Sequence, residues 1–185
     1  ARIAQMIGVE RQKQFLESLG FFEPTPLEIV EAKGGQPLLP PNWSELSTMT
    51  ISYGHGLSTS PMHLASAYAT LANGGNRVVP TLLKQEGPAT GPRVLSRASA
   101  QKSLTMLRKV VSEGTASFGE VPGYAVGGKT GTADKPKERG GGYYEDMVIA
   151  TFASTFPAHD PKYVLVVTLD EPVETSGDEP RRTAG

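Results

Sequence analysis

The sequence predicts an α+β (α/β) fold, an antiparallel sheet with helices on its faces, and three observations lead there. Apolar residues recur at helical spacing in four segments before Gly114, and a glycine closes each one. Two strand-like runs, 147–156 and 163–169, flank the short link Pro157-Ala158-His159-Asp160-Pro161, which reads as a tight antiparallel hairpin. Finally, 185 residues with 38% hydrophobic and 20% charged side chains are enough for one domain with a core of its own.

Taken in order, Ala1 to Ile7 carries Ile3, Ala4 and Ile7 on one helical face, Gly8 breaks it, and Val9 to Leu19 resumes with Phe15, Leu16 and Leu19 before Gly20. Phe21 to Ser47 holds Pro24, Pro26, Pro37, Pro40 and Pro41, which predicts a long ordered connection without regular elements. Thr48 to Leu57 alternates like a short strand and runs into a glycine turn. The clearest helix follows: Ser60 as cap, Pro61 in the first turn, Leu64, Ala65, Tyr68, Leu71 and Ala72 as the apolar face, and Gly74-Gly75 as the stop. His55 and His63 read as hydrogen-bonded structural side chains.

Arg77 to Lys84 reads as an edge strand with Pro80 at a bulge. Ser96 caps a further helix with Leu104, Leu107, Val110 and Val111 inward and Gly114 at its end. The last third predicts adjacent strands near 124–133, 147–156 and 163–169, with a loop from Asp134 to Glu145 and with Ile149, Val164 and Val166 in the core. Glu171 to Gly185 is a polar connector. Both ends look cut: Ala1 starts inside a helix pattern without Met, and Gly185 stops in a polar stretch, so the chain reads as a fragment.

Composition narrows the function classes. A net charge of -1 offers no field for nucleic acid or a membrane surface. With no cysteine and three scattered histidines, neither a disulfide framework nor a zinc site is expected, and no other metal or cofactor is implied.

Chemistry concentrates in Gly127-Gly128-Lys129-Thr130-Gly131-Thr132-Ala133, one cation and two hydroxyls among three glycines. On an extended edge strand Thr130 and Thr132 point one way and Lys129 the other, and Gly131 leaves bare backbone for a ligand to approach. That suits an oxyanion or carboxylate. Two readings compete. Gly123 to Thr130 fits the phosphate-loop pattern G-x-x-x-x-G-K-[ST], and Val164 to Glu171 could be a strand ending in a magnesium-binding acid; yet no buried strand precedes the loop and no helix pattern follows. The other reading is acyl transfer, because Lys129-Thr130-Gly131 is a K-T-G element.

Three blocks decide between them. Tyr53-Gly54-His55-Gly56-Leu57-Ser58-Thr59-Ser60-Pro61, the helix end Thr70-Leu71-Ala72-Asn73-Gly74-Gly75, and Gly127 to Ala133 together resemble, over nearly the whole chain, the transpeptidase domain of class B penicillin-binding proteins, division-type members best. The resemblance implies a β-lactamase/transpeptidase-like fold and a peptidoglycan D,D-transpeptidase. In such an enzyme a serine of S-x-x-K is acylated by a stem peptide and the acyl group passes to an amine, and penicillins imitate the donor. It also implies Lys129, Thr130, Gly131 and Thr132 as the substrate-binding wall, with the Thr132 N–H as half of the oxyanion hole. Implied partners are peptidoglycan stem peptides, β-lactams and other cell-division membrane proteins. The implied location is the bacterial inner membrane, with the catalytic domain in the periplasm and the anchor outside this chain.

The departures matter equally. Ser99-Ala100-Gln101-Lys102 is a formal S-x-x-K, but it lies only a short helix upstream of K-T-G, and Ser99 falls on the polar side of a first helical turn, where a capping or solvated role is usual. No serine has Asn two residues later, since Asn42, Asn73 and Asn76 follow Pro40, Leu71 and Gly74. The expectation is therefore the C-terminal part of a transpeptidase domain, residues 1–185, with nucleophile and base absent and both missing motifs preceding Ala1.

Overall fold

A computed structural model describes residues 1–87, 91–139 and 142–173. The chain divides into two compact units, Ala1–Leu104 and Thr105–Gly185.

In the first unit, helices α1 (Arg2–Ile7) and α2 (Val9–Ser18) meet at Gly8, whose φ of 82° no helix accommodates. The break and the stop at Gly20 fall where the sequence puts them. The proline-rich stretch is irregular apart from a 3₁₀ turn at Val30–Gly34, and it is tied down by side chains. Trp43 Nε1 donates to Gln12 Oε1 at 3.2 Å, and Gln12 Nε2 donates to the Thr48 carbonyl at 2.9 Å.

Two expectations fail in this unit. Glu45–Ile51 is a helix, α3, where a strand-like segment is expected from Thr48. Its cap explains the difference: Ser44 Oγ accepts the Ser47 N–H at 3.1 Å and Glu45 sits in the first turn, which starts a helix that the alternation of Met49 and Ile51 cannot forbid. Arg77 to Lys84 forms no strand. Its backbone groups are taken by side chains instead, since the Val78 N–H donates to Thr70 Oγ1 (3.1 Å), the Val78 carbonyl accepts from Ser66 Oγ, and the Leu82 N–H donates to Glu28 Oε2 (3.0 Å).

Helix α4 (Pro61–Ala72) starts and stops as expected, but its deepest face is polar: His63, Ser66 and Thr70 are buried, whereas Leu64, Ala65, Tyr68, Leu71 and Ala72 are half-buried. Each buried polar group has partners, which is the condition for burying it. The Ser60 N–H donates to His63 Nδ1 (3.2 Å), which leaves the ring proton on Nε2, 2.9 Å from the Glu23 carbonyl. Thr70 Oγ1 donates to the Ser66 carbonyl at 2.9 Å.

Helix α5 (Arg97–Glu113) follows Ser96, whose Oγ accepts the Ser99 N–H at 3.0 Å. Ala100, Leu104 and Val111 are buried along it, while Leu107 and Val110 are half-buried.

The second unit holds the sheet, β1 (Gly127–Pro136), β2 (Tyr143–Phe156) and β3 (Tyr163–Asp170), antiparallel in the order β1-β2-β3. The β2–β3 hairpin turns at residues 157–162, through a cis Phe156–Pro157 bond, with the Lys162 N–H donating to the Phe156 carbonyl at 3.0 Å. β1 runs on to Pro136 and β2 begins at Tyr143, so the expected loop from Asp134 to Glu145 is shorter than the sequence suggests. The core is the cluster Val111, Ala116 and Val126, with Val110, Phe152 and Phe156 packed on it. Ile149, Val164 and Val166, expected inside, are only half-buried, whereas Ala153 and Thr155, which the register places on the same face, are buried. The connector expected from Glu171 lies, from residue 174 onward, outside the described residues.

Among the described residues no helix is long and apolar enough to cross a membrane.

Candidate functional site

Lys129, Thr130, Gly131 and Thr132 stand in register on β1, opposite Ala153, Phe152, Thr151 and Ala150 of β2. Among the described residues β1 pairs with β2 alone, so it is an edge strand, as expected. An edge strand turns every second N–H and C=O outward, where a ligand can take the place of the absent neighbour. The alternation expected from the sequence follows from this pairing: Lys129 and Gly131 share one face, Thr130 and Thr132 the other. Lys129 is exposed, and its Nζ donates to the carbonyl of Thr130 at 2.6 Å and more loosely to Thr130 Oγ1 at 3.4 Å.

The glycines have different duties. At Gly128 a side chain would meet the Ala153 carbonyl at 2.7 Å and the Phe152 ring at 2.8 Å, so β1 is pressed onto β2 where only hydrogen fits. A Cβ on Gly127 would lie 3.2 Å from both Ala158 Cβ and the backbone N of Arg108, which brings the start of β1 against α5. At Gly131 nothing lies within 4 Å, and the space over the strand is open.

The lead-in to β1 is held by a clamp that the sequence does not announce. Arg108 on α5 uses both terminal nitrogens on the two oxygens of Glu120, one of them at 2.9 Å, and Nη1 also donates to the Val126 carbonyl at 2.9 Å. Hydrogen bonding to the guanidinium holds the Glu120 carboxyl below its usual range and raises Arg108 in return. At the other end of β1, Lys135 Nζ reaches Asp170 (2.8 Å) and Glu171 (2.6 Å), and these contacts push its pKa up. Spacing could not reveal either pairing, because Lys135 and Asp170 are 35 residues apart.

The phosphate-loop reading fails here. Gly127 to Thr130 lies within a strand that continues to Pro136, so no helix N-terminus faces a phosphate, and the acids proposed for magnesium engage Lys135. Ser99 is exposed in the first turn of α5, where its N–H donates to the capping Ser96 Oγ at 3.0 Å and its hydroxyl accepts from that oxygen at 2.9 Å, so it serves the helix start. Tyr53 to Pro61 and Thr70 to Gly75 belong to the first unit, around Gly54 and Gly56 (φ 99° and 88°) and at the end of α4. Two cavities lie elsewhere, about 500 Å³ beside Ile3, Ile7, Phe15 and Ile51, and about 320 Å³ beside Val121, Tyr124, Phe152 and Leu165. Both are lined mainly by apolar groups, and neither includes Lys129. The candidate site lies on the open edge of β1.

Comparison with known proteins gives a consistent result. The family described as penicillin binding protein transpeptidase domain matches residues 1–184. The chain is 34% identical over 182 residues to a probable peptidoglycan D,D-transpeptidase FtsI of Caulobacter vibrioides, covering 93% of this chain and 30% of that protein. It is equally 34% identical over 201 residues to penicillin-binding protein PbpB of Mycolicibacterium smegmatis, covering 98% of this chain and 31% of the relative. The chain thus spans about a third of the length of these curated relatives. Among solved structures, the apo transpeptidase domain of Burkholderia pseudomallei penicillin-binding protein 3 superposes with a TM-score of 0.84 at 38% identity, over 92% of this chain and 52% of that one. Penicillin-binding protein 3 of Mycobacterium tuberculosis, in complex with ampicillin, gives 0.85 at 32% identity, over 99% and 44%.

Proposed function

Because this chain belongs to the penicillin-binding protein transpeptidase domain family, we propose that it is the C-terminal part of the transpeptidase domain of a peptidoglycan D,D-transpeptidase. It supplies the wall along which the substrate lies. The observation that carries this reading is the open edge of β1, with Lys129, Thr130, Gly131 and Thr132 consecutive on it.

A stem peptide, or a β-lactam in its place, adds to that edge as an extended strand would. The Lys129 ammonium attracts its carboxylate, the hydroxyls of Thr130 and Thr132 hydrogen-bond it, and the Thr132 N–H faces the oxygen that gains charge as the carbonyl is attacked. On this reading the serine nucleophile and its base come from outside the 185 residues, since Ser99 serves a helix start and no serine has Asn two positions later. A relative bound to ampicillin supports β-lactams as ligands. Placement of the parent in the inner membrane, with this domain in the periplasm among other cell-division proteins, follows from the resemblance to class B penicillin-binding proteins and is part of the same proposal.

The test is acylation by a labelled penicillin. The isolated 185-residue chain should take no label, because acylation needs a serine activated by a nearby base. The parent should be labelled, and Lys129→Ala should slow this by roughly 10- to 150-fold, the equivalent of losing a charge-assisted hydrogen bond of about 1.5–3 kcal/mol. Thermal stability of that variant should change by under about 1 kcal/mol, as for most exposed side chains. Labelling of the isolated chain that vanishes in Ser99→Ala would overturn the assignment, and so would unimpaired acylation of the Lys129 variant.

A further inference from the structure

We propose that Arg108 is a positioning residue for the substrate edge. Its guanidinium fixes where β1 begins, and through that the placement of Lys129 to Thr132; the inference rests on the acyl-transfer reading of that edge.

Three observations converge on Arg108. Its Nη1 donates to the carbonyl of Val126, the residue immediately before β1. The same guanidinium grips both oxygens of Glu120, so the segment from Glu120 to Val126 is held at its two ends by one planar group. Within that segment the chain turns through Gly123 at φ 88°, and the Ala125 carbonyl accepts from the Ala158 N–H at 2.6 Å. Beside the clamp the backbone of β1 touches the backbone of α5: a Cβ on Gly127 would sit 3.2 Å from the Arg108 nitrogen and 3.4 Å from the Leu107 carbonyl carbon. The position of β1 is therefore set against α5 at one point, and Arg108 supplies the directional bonds there. Lys129 follows three residues after Val126 on a rigid paired strand, so an error at the start is carried to it.

Stability alone is a poor account of this arrangement. The Arg108 and Glu120 side chains keep 32% and 39% of their exposure, and ion pairs this open to solvent contribute little to folding. What the group provides is geometry. A planar fork can bind a carboxylate and a carbonyl in fixed directions, whereas an ammonium with the same charge cannot.

The experiment uses the full-length protein and a labelled penicillin, with initial binding and acylation rate measured separately by rapid mixing. Arg108→Lys and Arg108→Ala should both lower the acylation rate by roughly ten- to a hundredfold, the cost of a misplacement on the scale of an ångström. Initial binding should be altered less, and the thermal midpoint should stay near that of the unsubstituted protein. Glu120→Gln should cause a smaller loss in the same direction. Amide exchange across residues 127–132 should quicken in the Arg108 variants. Full activity in Arg108→Lys would mean that only charge matters and would overturn the inference, as would a loss of rate that simply follows a fall in thermal midpoint. If an Arg108 variant does not fold, Glu120→Gln decides alone: unchanged acylation and exchange refute the clamp. An unsubstituted protein that takes no label overturns the functional reading, and the inference with it; one that labels while the variants match it overturns the inference alone.

Discussion

At the scale of single residues, the two glycines flanking Lys129-Thr130 make opposite predictions. Gly128→Ala places a methyl 2.7 Å from a backbone carbonyl that cannot move without unpairing β2, so destabilisation of about 1–3 kcal/mol is expected in denaturant unfolding. Gly131→Ala meets nothing within 4 Å and requires no unusual φ. Its folding should be unchanged or slightly improved, because alanine loses less freedom than glycine on folding. Acylation of the parent should nevertheless fall about tenfold, since the methyl stands where a ligand would approach. Full activity in Gly131→Ala would show that the bare backbone is not used.

The sequence makes this residue-level pattern legible because glycine, lysine and threonine declare their chemistry locally. Arg108 and Glu120 were not legible. Each is an ordinary exposed charge on its own, and only the fold brings them together.

At the scale of elements, legibility followed the strength of local signals. Helices bounded by glycine at positive φ, and the proline-closed hairpin, were found where expected, because their stops are steric. Glu45–Ile51 and residues 77–84 depart from the expected strands, since alternation over a few residues is weaker than a serine cap in one case and than side chains claiming the backbone in the other.

The cap of α4 is itself testable. Ser60 Oγ lies 2.8 Å from His63 Nδ1 and 3.1 Å from Thr25 Oγ1, so Ser60→Ala should lower stability by about 0.5–2 kcal/mol in urea unfolding. A change within error would mean that the backbone N–H bond to His63 suffices.

The ends of β1 should also respond to pH in opposite ranges. Glu120 is depressed below its ordinary 4.5, so its contribution is present above that value and is lost as pH falls through the lower folded value. Lys135 is raised above its ordinary 10.5, so its contribution is complete below 10.5 and is lost only as pH rises through the higher folded value. The Glu120 pair is open to solvent, so its share of any acid limb in stability is small; the readout is the Glu120 titration itself, followed by NMR, which should move up toward the ordinary 4.5 in Arg108→Ala. A titration that this substitution leaves unmoved would sink the assignment.

At the scale of the whole molecule, β3 pairs with β2 alone among the described residues and presents Tyr163, Leu165, Val167 and Leu169 at 43–64% exposure. The register places them on one face with Phe152 and Phe156, the latter stacked on Tyr163 at 5.4 Å between ring centres. An edge that is both unpaired and apolar is a template for another copy of itself. The isolated chain should therefore form larger species as its concentration rises in sedimentation velocity, and Leu165→Thr with Val167→Thr should suppress them. Equal behaviour of the two proteins would clear this face. For anyone preparing the 185-residue chain as a reagent, the consequence is practical: its usable concentration, shelf life and tolerance of freezing will be governed by β3, on the far side of the sheet from the strand that makes the chain worth preparing.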